Sequence, residues 1–381
     1  MDEVLVIRKV TSQSTGPTFG TRSGEDDAVH VDVVSTDDVF DLRRDKTVEI
    51  AARAMPLRLI RPYVNDKERQ SPQKKGSLEC AWGITATGAA ESSFHGDGTC
   101  VAVLDTGIDA SHQAFERVNI VEKDFTGSGT KDIDGHGTHC AGTIFGQDCD
   151  GLRIGVARKV SKALIGKVLG EGAGGTTAVL KEAIEWSIDE GANVISMSLG
   201  IDFPGYVDHL VETKDLPVAH ATSAALQEFS ATIRFFDRFS GLLRSQENAA
   251  LILAASGNES SYEYPIHAAL PSSADGFLSV GAVERKEDNF KHAAFSNIGA
   301  KIGAPGVDVA SARIGGGITF MSGTSMATPH VAGIALLWAE KQMSEYDGRI
   351  DVDAVRADLI SNSKIFGMST DAIGRGMIQA P

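Results

Sequence analysis

Five short, nearly unbroken apolar runs constrain the fold of this chain more than any other feature: 101–104, 160–165, 194–199, 251–255 and 278–283. Runs of this length suit strands buried on both faces of a parallel sheet, because alternation with polar residues would mark a face open to water. Between the second and third lies 176–190, where Val179, Ala183, Trp186 and Glu190 fall on one stripe and Gly191 is placed as a helix stop. Strand, helix and strand in that order predict an α/β domain with a doubly wound, mostly parallel sheet and helices on both faces. A further helix is expected over 223–243, with Leu226, Phe229, Ile233, Phe236 and Leu243 facing the core.

The first 72 residues have a different texture, charged and irregular, with strand-like 4–10 and 29–34, helix-like 37–44 and a strand-like stretch over 48–60. They predict a small α+β segment. The stretch 65–76, with Lys67, Arg69, Lys74 and Lys75 among polar residues and Pro72, has linker composition, so the boundary is placed between 72 and 73. Against 36 basic residues the chain carries 51 acidic ones, a net charge of -15, which disfavours a phosphate-binding surface and excludes nucleic acid as an expected partner. Cys80, Cys100, Cys140 and Cys149 show neither the density of a disulfide framework nor paired metal-ligand spacing. No run reaches the roughly 18 apolar residues that span a bilayer, so no membrane association is expected. Residues 1–10 are too short and too charged for the hydrophobic region of an export signal, which predicts a cytoplasmic location.

In open α/β sheets reactive groups gather beyond the carboxyl ends of the strands, so the residues just past each run matter most. Asp105 comes directly after the first run, the segment 134–142 carries His136 between two glycines, and 323–333 places Ser325 at the mouth of an apolar helix. Singly, each has an ordinary structural reading: a turn former, a core histidine, a helix cap. Taken together and in this order, Asp105-Thr-Gly, Gly135-His136-Gly-Thr-His139-Cys140 and Gly323-Thr-Ser325-Met-Ala-Thr-Pro-His330 resemble the catalytic segments of the subtilisin-like serine proteases. The resemblance runs from about Trp82 to the end, where 374–378 is similar to the family's closing turn.

That resemblance implies a serine endopeptidase working through an acyl-enzyme, with Ser325 as nucleophile, His136 as general base and acid, and Asp105 orienting His136. It also implies an oxyanion donor at Asn258, just past the fourth run in Ala255-Ser256-Gly257-Asn258. His139, His330 and Cys140 are expected to be structural. By the same resemblance an extended substrate lies between 169–175, including Gly172, Ala173 and Gly174, and the edge Ser198, Leu199 and Gly200. The pocket for the residue preceding the cut has 198–200 and Ala255, Ser256 and Gly257 as its walls. Glu259 and Glu263 are expected near its floor, Glu263 favouring lysine or arginine there.

Two departures from the family pattern stand out. An insertion over 201–245 leaves the substrate edge at Gly200, either as a lid or as a surface elaboration. Ala114 stands where secreted relatives carry an acidic calcium ligand, so no cofactor or metal is expected to be required; Asp148 and Asp150 offer only a weak calcium site. Many members begin with a segment that covers the groove, so residues 1–72 are expected to be either such an intramolecular inhibitor, with a tail over 61–71 entering the groove, or an unrelated accessory domain. Two other readings stay open: a processing protease dedicated to one precursor, and a catalytically idle relative that binds peptides.

Overall fold

The computed structural model describes residues 3–9, 18–21, 24–36, 38–63, 79–287 and 289–381. The apolar runs form adjacent strands of one sheet, Leu278–Lys286, Leu251–Ala255, Val194–Met197, Cys100–Asp105 and Lys162–Lys167, with every neighbouring pair parallel. Ile120–Asp124 extends it in parallel at one edge, while at the other Leu278–Lys286 pairs with Ile302–Pro305 in parallel and with Asn289–His292 in antiparallel fashion. Along the central strand the side chains alternate between two cores. Val101 and Val103 join one with the helices His136–Phe145 and Thr324–Glu345, and Ala102 and Leu104 join the other with Thr177–Asp189 and Val218–Arg244. Apolar residues on both faces are what gave these strands their unbroken runs.

Local chemistry shifted several boundaries. The second run begins as a strand at Lys162 and continues through Lys167, a buried lysine whose ammonium donates to the carbonyl of Lys131 (2.8 Å). Its charge masked its strand character. The helix Thr177–Asp189, capped by the Thr176 hydroxyl accepting from the Val179 amide (3.3 Å), buries Leu180, Ala183, Ile184, Ser187 and Ile188; the expected stripe through Val179 and Trp186 lies at the margin of that face. In Val218–Arg244 the expected Phe236 and Leu243 are buried together with Ala225, Ala231, Phe235 and Phe239, Phe229 and Ile233 pack at the margin of that core, and Leu226 is exposed. The expected insertion, 201–245, opens on the last residue of the strand Leu199–Ile201 and continues as the helix Phe203–Lys214, capped by the Asp202 carboxylate and ended by Asp215 at φ +50°.

The amino-terminal residues form a four-stranded antiparallel sheet in the order β2-β3-β1-β4, from β1 (Glu3–Lys9), β2 (Thr18–Thr21), β3 (Gly24–Ser35) and β4 (Val48–Arg53), with a short helix Val39–Arg44. One face, through Leu5, Ile7, Val29, Val31 and Ala52, shares a core with Val218–Arg244 and Thr177–Asp189. Glu228, buried on the long helix, pins this sheet by pairing with Arg43 (2.8 Å) and accepting from the Arg53 amide (3.1 Å). The chain then leaves the sheet as β5 (Pro56–Leu59), which lies between Gly174–Thr176 and Leu199–Ile201 and pairs antiparallel with both. The expected strand over 48–60 is therefore two strands belonging to different sheets. The expected linker over 65–76, with the boundary between 72 and 73, lies within 64–78, outside the described residues.

Candidate active site

Asp105 is the last residue of the central strand and His136 the first residue of the helix His136–Phe145. Two features let that helix begin beside the strand. Gly137 is so close to Gly107 that a side chain would collide with the Gly107 carbonyl, and Gly135 caps the helix in the left-handed region at φ +95°. The buried carboxylate of Asp132 then ties the junction together. It accepts from the amides of Asp134 (3.0 Å), Gly135 (2.9 Å) and Thr138 (2.9 Å), and from the hydroxyls of Thr106 (2.9 Å) and Thr138 (2.6 Å). Sequence reading passed over Asp132, which lies four residues before the helix start, outside the position where a capping side chain is read from sequence.

His136 Nδ1 lies 2.8 Å and 3.0 Å from the two oxygens of Asp105, both residues fully buried. Burial by itself would push the imidazole pKa down. The adjacent Asp105 carboxylate outweighs it, and the pKa is held well above its ordinary value. Cys140 Sγ is 3.7 Å from Nδ1, but burial raises its own pKa, so it stays a neutral thiol and donates to the Ser325 carbonyl (3.4 Å). His139 and His330 are also buried and pushed down, to about 3 and about 4, by desolvation. Both are neutral spacers, bonded to the carbonyls of Val309 and Met326.

Ser325 is the second residue of the helix Thr324–Glu345, in the turn whose amides the helix leaves without acceptors. Asn258, just past Leu251–Ala255, accepts from the Thr324 amide (2.8 Å) and hydroxyl (2.9 Å), which turns its Nδ2 outward. The site is filled by the chain itself. Ser325 Oγ donates to the carbonyl of Ile60 (2.9 Å), Asn258 Nδ2 donates to the carbonyl of Arg61 (2.8 Å), and the Ile60 amide donates to Ser198 O (3.3 Å). With the serine hydroxyl engaged there, the buried His136 Nε2 has no hydrogen-bond partner among the described residues.

The expected substrate edges are the two that hold β5: Gly174, Gly175 and Thr176 face Arg58, Leu57 and Pro56, and Leu199, Gly200 and Ile201 face Leu59, Arg58 and Leu57. Gly172, at φ +73°, and Ala173 belong to the turn just before this ladder. Ala255, Ser256 and Gly257 are buried, and Ile60 packs toward Gly200. Glu263 stands exposed on the loop beyond, whereas Glu259 reaches Arg58 at 3.5 Å. The segment in the groove starts earlier than the tail expected over 61–71, because β4 ends only two residues before β5. Asp148 pairs with Arg158 (2.9 Å), and Asp150 sits in a turn at φ +53°. Within reach of one another among the described residues are Asp105, His136 and Cys140, where an ion would compete with the Asp105–His136 hydrogen bond.

Against known proteins, the model of the subtilase family matches residues 96–376. Subtilisin DY of Bacillus licheniformis is 31% identical over 297 residues, 77% of this chain and 94% of that protein. An alkaline protease of Shouchella clausii is 30% identical over 343 residues, 88% of this chain and 77% of the relative. Proteinase R of Parengyodontium album is 32% identical over 291 residues, 71% of this chain and 61% of the relative.

Proposed function

The chain belongs to the subtilase family of serine endopeptidases, and from that premise we propose that it cuts extended peptides with Ser325, His136, Asp105 and Asn258 as its catalytic residues. What carries the assignment is the strand β5, an extended peptide held by main-chain bonds on both edges with a carbonyl against the Ser325 hydroxyl. A substrate takes that place when β5 leaves. Ser325 Oγ then bonds to the scissile carbonyl carbon as its proton passes to His136 Nε2, and the carbonyl oxygen becomes an oxyanion facing Asn258 Nδ2 and the Ser325 amide. Collapse breaks the carbon–nitrogen bond while His136 returns the proton to the leaving amine. Water, deprotonated by the same imidazole, then releases the acid.

Asn258→Ala is expected to lower kcat roughly 10²- to 10³-fold with little change in KM, since the donor acts on charge present only in the transition state. An unchanged kcat would remove Asn258 from the mechanism. The assignment as a whole is tested by reacting the protein with a fluorophosphonate and mapping the adduct, which belongs on Ser325.

Residues 1–63 act as an intramolecular inhibitor in this reading. β5 occupies the groove, yet its donors are divided: the Ser325 hydroxyl is on the Ile60 carbonyl and Asn258 on the next one. No single carbonyl carbon is both approached and polarised, which favours residence over cleavage. Ile60 is buried, and exchanging it for a charged residue removes roughly 1.5–3 kcal/mol of burial. Ile60→Asp is therefore expected to speed fluorophosphonate labelling of Ser325 at least about tenfold in the full chain. Equal labelling rates would mean that β5 does not limit access.

A further inference from the structure

We propose that Asp202 and Glu259 form a cation subsite of the groove, selecting arginine or lysine two residues upstream of the residue that precedes the cut. The inference rests on the groove reading above, with β5 as a template for substrate. Leu57 and Leu59 are buried, and Arg58 between them turns the opposite way, as alternation along a strand requires. Its guanidinium meets two carboxylates, Asp202 Oδ1 at 3.2 Å and Glu259 Oε1 at 3.5 Å.

Each carboxylate is held by contacts that do not involve the occupant. Asp202 caps the helix Phe203–Lys214 by accepting from the Gly205 amide (3.2 Å). Its own amide, by contrast, donates to Pro56 O (3.1 Å) of β5 itself, a main-chain bond that the backbone of an extended substrate can replace. Glu259 Oε2 accepts from Asn297 Nδ2 (2.8 Å), and the Glu259 amide donates to Asn297 Oδ1 (3.1 Å), leaving Oε1 turned toward Arg58. When β5 leaves, two negative charges remain beside the groove, and a substrate with a cation in the place of Arg58 neutralises both. The insertion thereby delivers one wall of a subsite, since Asp202 is its second residue. Glu263 is exposed on the loop beyond Glu259, so the basic preference belongs to this position and not to the pocket that takes Ile60.

Three peptides, Leu-Xaa-Leu-Ile-p-nitroanilide with Xaa as arginine, glutamine or glutamate, test this in the full chain. Ratios of kcat/KM between peptides are independent of the fraction of molecules whose groove is open. Arginine is expected to exceed glutamine about three- to tenfold, as two partly exposed ion pairs allow, with glutamate lowest and the preference shrinking at high salt. In the Asp202→Asn/Glu259→Gln double variant, which keeps a capping side chain and an acceptor for Asn297, the ratio should fall to about one. Equal cleavage of the arginine and glutamine peptides by the wild type, or a preference that survives in the double variant, overturns the subsite. Fluorophosphonate labelling of Ser325 without cleavage of any peptide in the series also counts against it. If Ser325 is not labelled in any variant, Ile60→Asp included, the groove reading itself fails, and this inference with it. Faster labelling of Arg58→Gln combined with equal peptide ratios would show that the carboxylates serve only the chain's own strand, again overturning selectivity toward substrates.

Discussion

Ser325→Ala is expected to lower turnover of a peptide substrate roughly 10⁶-fold, leaving a residual rate from binding and the oxyanion donors. The size of the loss reflects the interdependence of the groups. Without the hydroxyl, His136 has no proton to accept, and the Asp105–His136 pair has nothing to act upon. The variant also loses the bond from Oγ to Ile60 O, but β5 keeps its pairing with Gly174–Thr176 and Leu199–Ile201, so the fold and the filled groove should persist. Single-turnover measurements alongside circular dichroism check this. Activity within tenfold of wild type in a folded variant would exclude Ser325 as nucleophile.

Asp105→Asn is expected to cost roughly 10⁴ in kcat and, more tellingly, to move the pH profile. Only neutral imidazole can accept the serine proton. Because Asp105 holds the His136 pKa well above its ordinary value of 6.5, the rising limb of wild-type kcat/KM should lie on the alkaline side of that value. The variant lacks the carboxylate while burial still disfavours the cation, so its limb should shift toward acid beneath a much lower plateau. The stability linkage has the matching sign: a raised histidine pKa contributes stability fully present below the unfolded-state value and lost as pH rises through the folded one. An unshifted limb would mean that Asp105 does not set the protonation of His136.

Much of this candidate site was legible in the sequence alone. Asp105, His136, Asn258 and Ser325 are each announced by their neighbours: an apolar run, a turn of small residues, a helix beginning. Such local signals survive in one dimension because backbone geometry demands them, as with Gly137, where any side chain would strike Gly107. The central strands were legible for a related reason, since a strand buried on both faces must be apolar throughout. The edge strand Ile120–Asp124 was not, because its solvated, mixed composition has no such demand.

What depended on tertiary structure was everything set by residues far apart in the chain. Nothing about Pro56–Leu59 marks it as the occupant of the groove, because that role comes from main-chain bonds to edges more than a hundred residues away, which any extended segment can make. The buried faces of Thr177–Asp189 and Val218–Arg244 reach beyond their apparent stripes because the partners that cover them, including the amino-terminal sheet, are distant in sequence. Asp202 and Glu259 carry no local signal of a shared role either; folding brings them to one guanidinium. Sequence by itself determined the family and, through it, the proposed chemistry, because nucleophile, base and donor are properties of side chains and their immediate backbone. Only the tertiary structure decided which peptide fills the site and which charges surround it, because these depend on where separate strands meet.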